Sequence, residues 1–384
     1  MRIAVDALGL PRFGGAKASA TGWLAALARH GPENQYLVFL SRPEESLSPF
    51  ANVRQRIVPV SNRFLVRIWA QLVIPQVLAH EQIDLLHNVK NLGVFGAPCP
   101  TIVTVNDLSH VVLQRLYPRA DGFYWERIQP RLLRRAARVI AISENTRQDL
   151  LRLYRLEAER VVTIHPACDE RYYQPCAAVE LRRVHSRYGL PQKMLLYVGG
   201  LGVHKNVITL VRAFGRIANA VPHGLVVVGG AHHTTSDHDL SREAAAMGLS
   251  DRVWNLGSVP EEDLRPLYHQ ADLFLLASLN EGFGLVLVEA MACGLPVVAA
   301  GTSSVQEVVG DAARLIDDPT DGAAFAGAML ELLANRETLS EMRQRGLDRS
   351  RLFSWERTAV KTLALYHDIV DGRRPFPAVV PCLR

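Results

Sequence analysis

Residues 280–296, NEGFGLVLVEAMACGLP, decide the fold. An apolar run with strand character, 273–277, leads into this stretch, and a second, 296–300, leads out of it. Between them the sequence predicts a glycine turn, Asn280-Glu281-Gly282-Phe283-Gly284, and a helix over 285–293. Gly294 suits the position just past the helix, and Pro296 blocks its continuation. The pattern is a βαβ unit with a glycine turn at the helix start, where free backbone N–H groups favour an anion. The helix is apolar on every side and is therefore expected to be buried. Glu289 is its one charge, and a buried carboxylate needs a hydrogen-bond partner that this helix does not supply. Glu281 lies in the turn at the same helix end. The two carboxylates predict a ligand rich in hydroxyls and bearing phosphate.

The surrounding composition sets limits. A chain of 384 residues exceeds one ordinary core, so two domains are expected. With 48% hydrophobic and 21% charged residues it reads as a soluble globular protein. No uninterrupted apolar run reaches the length of a spanning helix. The start, MRIAVDALGL, enters a strand pattern directly and predicts no signal peptide. Cys99, Cys168, Cys176, Cys293 and Cys382 are scattered, without CxxC or zinc spacing. That usage fits a reducing compartment, and the expected location is the cytoplasm. Charge is uneven: residues 1–187 carry 25 basic and 16 acidic residues, whereas 188–384 carry 18 and 22. Arg127, Arg131, Arg134, Arg135 and Arg138 are part of the basic half. Such a run serves either as a solvated helix face or as an attraction for anionic lipid or a phosphorylated acceptor. Peripheral contact with the inner membrane face is thus an expectation from charge alone. Nucleic acid is not expected, for no binding module or aromatic–basic interleaving is present.

Along the chain, short apolar runs alternate with helical patterns. Strands are expected at 2–7, 36–40, 53–59, 84–87, 101–105, 139–143 and 161–165, with helices at 18–29, 63–80, 124–137 and 144–154. Residues 169–192 hold Pro175 and Pro191, lack strand character and are read as a linker. A second alternation starts with a strand at 194–198 and ends with helices at 323–335, 336–349 and 355–370 and a proline-containing tail, 371–384. The predicted class is α/β: two doubly wound, mostly parallel, Rossmann-like sheets facing a cleft. Expected divisions are 1–180, 181–355 and a C-terminal helix and tail, 356–384, packing back toward the first domain. Four glycine turns stand at strand ends: Gly14-Gly15, residues 199–202, Gly229-Gly230 and residues 282–284. A glycine after a strand often only makes the turn. Four at equivalent ends of two sheets point to a ligand site.

These residues together resemble a family. The stretch NEGFGLVLVEAMACGLPVV, with Glu281 and Glu289 separated by seven residues, is similar to the E-x7-E signature of retaining, GT-B fold glycosyltransferases of family 4. YVGGLGVHKN at 197–206, GSVPEEDLRPLYHQADLFLLAS at 257–278 and RVIAISENTRQDL at 138–150 agree with it. The resemblance implies an enzyme that moves a hexose, of mannose or another type, from a nucleoside-diphosphate sugar to a hydroxyl of a glycan or lipid-linked glycan, with retention. It implies that Glu289 holds ribose hydroxyls and that Glu281 lies near the transferred sugar. Backbone N–H groups of Gly282, Phe283, Gly284 and Leu285, with Gly199, Gly200 and His204, belong to the donor side. Lys205 matches the phosphate-binding lysine and stabilises the leaving diphosphate. Gly14 and Gly15 approach the phosphates and shape the acceptor side. No metal ligand set and no other cofactor is implied.

Two positions depart from the pattern. Gly200 stands where many members carry arginine after the first glycine of the turn, and His204 occupies a place often held by a second basic residue. Asn106-Asp107 replaces the usual His-Asp at the fifth strand end; Asn106 donates a hydrogen bond but exchanges no proton near neutral pH. In front-face retention the leaving phosphate takes the acceptor proton, which makes an asparagine tolerable there. Asn106 and Asp107 are accordingly counted with Glu281 and Lys205 at the reaction centre. His87 and His110, close by in sequence, are read as structural. The competing readings are an inactive nucleotide-sugar-binding or scaffold homologue and a GT-B sugar-nucleotide epimerase.

Overall fold

The computed structural model describes residues 1–11, 14–58, 62–117, 122–230 and 237–372. The chain divides into two units: Met1–Ala167 with the segment returning from Ser354, and Cys168–Phe353.

Unit 1 is built on seven strands: β1 (Arg2–Asp6), β2 (Gln35–Leu40), β3 (Val53–Ile57), β4 (Leu85–Asn88), β5 (Thr101–Val105), β6 (Arg138–Ala141) and β7 (Val161–Thr163). They form one sheet in the order β3-β2-β1-β4-β5-β6-β7, every pair parallel. β1, β4 and β5 are buried along nearly their whole length because a parallel sheet is covered on both faces. One apolar layer joins Ala4, Leu37, Phe39 and Leu86 to Val66, Ala70 and Ile74 of the helix Arg63–His80, which runs unbroken through Pro75. The C-terminal helix, Trp355–Val370, packs on the helix Gly15–His30. Trp23 Nε1 donates to Thr362 Oγ1 at 3.0 Å, and a Cβ on Gly22 would lie 2.4 Å from the Trp355 ring. Gly22 is thus the only residue type that admits Trp355. The tail expected to pack with this helix extends over residues 373–384, which lie outside the described residues.

Unit 2 holds six strands: β8 (Met194–Val198), β9 (Gly224–Val228), β10 (Val253–Gly257), β11 (Leu273–Leu276), β12 (Val297–Ala300) and β13 (Ala313–Ile316). Their order is β10-β9-β8-β11-β12-β13, again all parallel. Each sheet therefore reverses its strand order once, between β1 and β4 and between β8 and β11. Both are doubly wound, Rossmann-like sheets.

The fold departs from the sequence expectations at two places. Residues 169–192 are not an irregular linker: they contain the helix Ala178–Tyr188, ended by Gly189 at φ +57°. Val184 is its one fully buried side chain, so an apolar face is almost missing from the pattern. The helix is held instead by charge. Arg183 and Arg187 reach the buried Asp263 of the helix Glu261–Gln270 at 2.7 and 3.0 Å, and Arg265 reaches Glu180 at 2.9 Å. The basic helix expected over 124–137 changes winding midway. Tyr124–Ile128 is a π turn, and Gln129–Arg135 is α-helical with Pro130 in its first turn. Pro130 has no N–H to continue the regular ladder, which accounts for the widened turn before it.

Candidate active site

The reversal in the second sheet lies between β8 and β11, and such a crevice at strand C-termini is where open α/β sheets take ligands. The turn after β8 ends in a single 3-10 turn, Val203–Lys205, and the turn after β11 carries Glu281. Lys205 Nζ lies 2.8 Å from both carboxylate oxygens of Glu281. Glu281 is 6% exposed, so its charge requires this partner. Ser278 Oγ donates to Glu281 Oε1 at 2.6 Å. The turn backbone is pinned from a third strand end. Glu281 N–H donates to Ser303 Oγ at 2.7 Å, Ser304 Oγ to the Glu281 carbonyl at 3.0 Å, and Thr302 Oγ1 to the Ser278 carbonyl at 2.8 Å. Residues 302–304 thus fix where the carboxylate points.

The other side of the crevice depends on close backbone approach. Gly229, after β9, has φ +150°, and a Cβ there would sit 1.7 Å from the Gly199 carbonyl oxygen. Tyr197 OH donates to the Gly200 carbonyl at 2.8 Å, and Leu279 N–H to the His204 carbonyl at 2.8 Å. Asn206 sits in the left-handed region at φ +53° and donates to the carbonyls of Ala277 and Pro319 at 3.1 and 2.7 Å. Gly200 is exposed, while Gly199 and His204 are half-buried.

The helix Leu285–Ala292 starts at Gly284, whose φ of +86° and lack of a Cβ open the helix N-terminus. It ends in a Schellman motif, with Leu295 N–H on the Ala290 carbonyl and Gly294 N–H on that of Met291, both at 2.9 Å. Phe283 and Leu285 are buried, Phe283 edge-on to Phe353 at 5.2 Å between centroids. Glu289 is buried too, and its partner comes from outside the helix: Tyr268 OH donates to Oε2 at 2.8 Å. Burial pushes the Glu289 carboxyl up to about 7, opposed by the Tyr268 hydrogen bond and the Arg171 guanidinium. The structure therefore brings Lys205, Glu281 and the three glycine turns of unit 2 to one strand-end crevice, with Glu289 on the helix that leaves it. Tyr268, Ser278, Ser303 and Ser304 complete the arrangement.

The remaining sequence candidates are in unit 1. Gly14 and Gly15 are exposed at the start of the helix Gly15–His30, after β1. Asn106 and Asp107 follow β5 and are half-buried. Asn91 holds this loop: its Oδ1 accepts from Asn106 N–H at 2.6 Å and its Nδ2 donates to the Asp107 carbonyl at 2.9 Å. Asp107 Oδ1 accepts from Ser109 N–H at 2.9 Å. His87 is fully buried between Tyr366 OH at 2.5 Å and Thr104 Oγ1 at 2.7 Å, and burial pushes it down to about 3. His110 stacks on Trp125 at 4.6 Å between centroids.

Comparison with known proteins assigns the chain to a family and a fold. The family model for glycosyl transferases group 1 matches residues 182–349, and that for Glycosyltransferase Family 4 matches 13–172. O-antigen chain mannosyltransferase B of Escherichia coli is 31% identical over 269 residues, 69% of each chain. Mannosylfructose-phosphate synthase of Agrobacterium fabrum is 29% identical over 68% of this chain and 61% of its own length. D-inositol 3-phosphate glycosyltransferase of Corynebacterium glutamicum is 30% identical over 61% of this chain and 58% of its own. Among solved structures, sucrose-phosphate synthase of Thermosynechococcus elongatus superposes with a TM-score of 0.79 at 22% identity, covering 97% of this chain and 99% of that one. Anabaena HepE in complex with UDP and glucose superposes with a TM-score of 0.77 at 21% identity, covering 95% and 99%. At those identities the structural likeness is one of fold. The chain belongs to glycosyltransferase family 4 and has the GT-B type of fold. It is a glycosyltransferase.

Proposed function

We propose that the protein transfers a hexose, of mannose or another type, from a nucleoside-diphosphate sugar to a hydroxyl of a glycan or lipid-linked glycan, with retention at the anomeric carbon. The observation that carries this reading is the pairing of Lys205 with Glu281 where the strand order of the second sheet reverses. An ammonium half-buried beside an open helix N-terminus is a site for a diphosphate. A carboxylate held by a lysine and a serine has lone pairs left for sugar hydroxyls. Glu289 takes the ribose hydroxyls, and the backbone N–H groups of 282–285 meet the sugar or the diphosphate. The names of similar proteins support a nucleotide-sugar donor and a hexose: HepE was crystallised with UDP and glucose, and one relative is named as a mannosyltransferase.

In the reaction the bond from the anomeric carbon to the diphosphate oxygen breaks as the acceptor oxygen bonds to the same face. The acceptor proton passes to a leaving-phosphate oxygen. Lys205 stabilises the charge that grows there, which is electrostatic catalysis of the kind a divalent metal supplies elsewhere, and we propose that no metal is needed. His204 and Gly200 belong to the donor turn, Gly14 and Gly15 to the acceptor and phosphate loop. Asn106 and Asp107 orient hydroxyls rather than exchange protons. A cytoplasmic location with peripheral contact to an anionic membrane belongs to the same proposal. Among the described residues no helix is long and apolar enough to cross a membrane, but Leu65, Ile68 and Leu72 stand 55–63% exposed along one helix of the basic half.

Incubation with a panel of nucleoside-diphosphate hexoses and glycan acceptors tests the reading. Release of nucleoside diphosphate with a product of retained configuration by NMR is expected. An inverted product overturns retention, epimerised donor without acceptor favours the epimerase, and nucleotide binding without any turnover favours the inactive homologue.

A further inference from the structure

The first sheet also reverses its strand order, between β1 and β4, and that crevice is built from side chains that have no part in the donor site. Asp6 ends β1 and Asn88 ends β4, and the two are paired in register. Side chains alternate along a strand. Asp6 therefore shares a face with Ala4, and Asn88 with Leu86, both members of the apolar layer under the helix Arg63–His80. At its strand C-terminal edge this layer turns polar. Asp6 is 7% and Asn88 1% exposed. Asn88 Nδ2 donates to the Ile102 carbonyl at 3.2 Å, but its Oδ1 has no hydrogen-bond partner among the described residues. Asp6 Oδ1 accepts one backbone bond, from Leu8 at 3.0 Å.

Two cations converge on the same edge. Lys90, two residues past β4, is half-buried and donates to the Gly9 carbonyl. Arg67, in the first turns of the helix Arg63–His80, lies over the Tyr124 ring with Cζ 4.6 Å from the centroid. Lys90 feels Asp6 and Arg67, and Tyr124 feels the same two charges, so the four groups share one neighbourhood. Burial pushes the Asp6 carboxyl up to about 6, in keeping with the dry setting.

We infer that this crevice of unit 1 binds the acceptor through an anionic sugar, one whose ring carries hydroxyls together with a phosphate or a carboxylate. The inference rests on the glycosyltransferase reading and names its acceptor class. Neutral hydroxyls alone would satisfy Asn88 Oδ1 and Asp6 but leave the repulsion between the half-buried Lys90 and Arg67 unrelieved. A bare inorganic anion would satisfy the cations but face Asp6. A sugar bearing an acid group answers both demands, with its hydroxyls on Asp6 and Asn88 and its charge on Lys90 and Arg67.

The test is calorimetric titration of the full chain with glucose 6-phosphate, glucuronate and glucose, with and without saturating UDP or GDP. One of the two acidic sugars is expected to bind saturably, at least tenfold tighter than glucose, and which one does identifies the acid group. Lys90→Gln and Arg67→Gln are expected to weaken that binding at least tenfold while leaving nucleotide binding unchanged, and Lys90→Arg to restore most of it. Unchanged nucleotide binding shows that the variants are folded. Glucose binding as tightly as either acidic sugar overturns the inference, as does acidic-sugar binding that survives Lys90→Gln but is lost in Lys205→Met. If a nucleotide binds and neither acidic sugar does, this inference alone fails. If no nucleotide binds either, the reading beneath it fails as well.

Discussion

At the residue scale the chemistry turns on two carboxylates with different partners. Glu281 is ion-paired with Lys205 and hydrogen-bonded by Ser278, whereas Glu289 has one phenol and a dry setting that pushes it up to about 7. Its ordinary value is 4.5, so the unfolded chain releases this proton first. The contribution of Glu289 to stability is then full below about 4.5 and is lost as pH rises through about 7. Thermal melts of the wild type and Glu289→Gln between pH 4 and 8 are expected to diverge in that direction, the variant gaining up to about 3 kcal/mol relative to the wild type at pH 8. A ribose that donates to the carboxylate favours the ionised form, so nucleotide affinity is expected to rise from pH 6 to 8 in the wild type and to stay flat in Glu289→Gln. Replacing Lys205 by methionine removes the leaving-group charge and strands Glu281. Transfer is expected to fall by about 100-fold or more, in the range for loss of one electrostatic group, as measured by nucleoside diphosphate release. Glu281 and Glu289 were readable as candidates, one a carboxylate in a glycine turn and the other the lone charge on an apolar helix, while Lys205 was picked out by the family resemblance of its own glycine turn. Tyr268, Ser278, Ser303 and Ser304 were not: each acts across strands or helices, and only the register of β11 and β12 brings Ser303 and Ser304 to the Glu281 backbone.

At the element scale, the strand-end turns are set by backbone contact. Gly229→Ala would drive a Cβ into the Gly199 carbonyl at 1.7 Å, and neither turn can yield without moving the strand behind it. The variant is expected to lose at least roughly 2 kcal/mol by denaturant unfolding, as backbone strain and overpacking do. Nucleotide binding should weaken too, because the displaced turn carries Lys205. The strands and most helices were readable from periodicity, and the Glu144–Tyr154 helix was readable from its cap, with Ser143 Oγ accepting from Thr146 N–H at 3.0 Å. The helix Ala178–Tyr188 was not, since its partners Asp263 and Arg265 lie some eighty residues away and charge pairing leaves no periodic trace. The π turn before Pro130 was hidden for a different reason: proline marks a break but not the winding that relieves it.

At the scale of the whole molecule, the first unit is completed by the last helix. Tyr366 partners the buried His87, and Thr358 Oγ1 donates to the His165 carbonyl at 2.7 Å. Trp355→Ala empties the space that Gly22 keeps open and is expected to cost about 3–5 kcal/mol, read as a lower unfolding midpoint. The excess of base in residues 1–187 is a property of the whole half rather than of any pair. With Leu65, Ile68 and Leu72 exposed, it predicts sedimentation with anionic vesicles that weakens as salt rises and is lost when the three are changed to serine. Persistence of binding in that triple variant would contradict the surface assigned. The most direct test of the central claim is titration of the protein with UDP, GDP and ADP, in the wild type, Lys205→Met and Glu289→Gln. Saturable binding of at least one nucleotide by the wild type is expected, with at least tenfold weaker binding by both variants. Binding of none of them by the wild type, or equal binding by all three proteins, would contradict a donor site made by Lys205, Glu281 and Glu289.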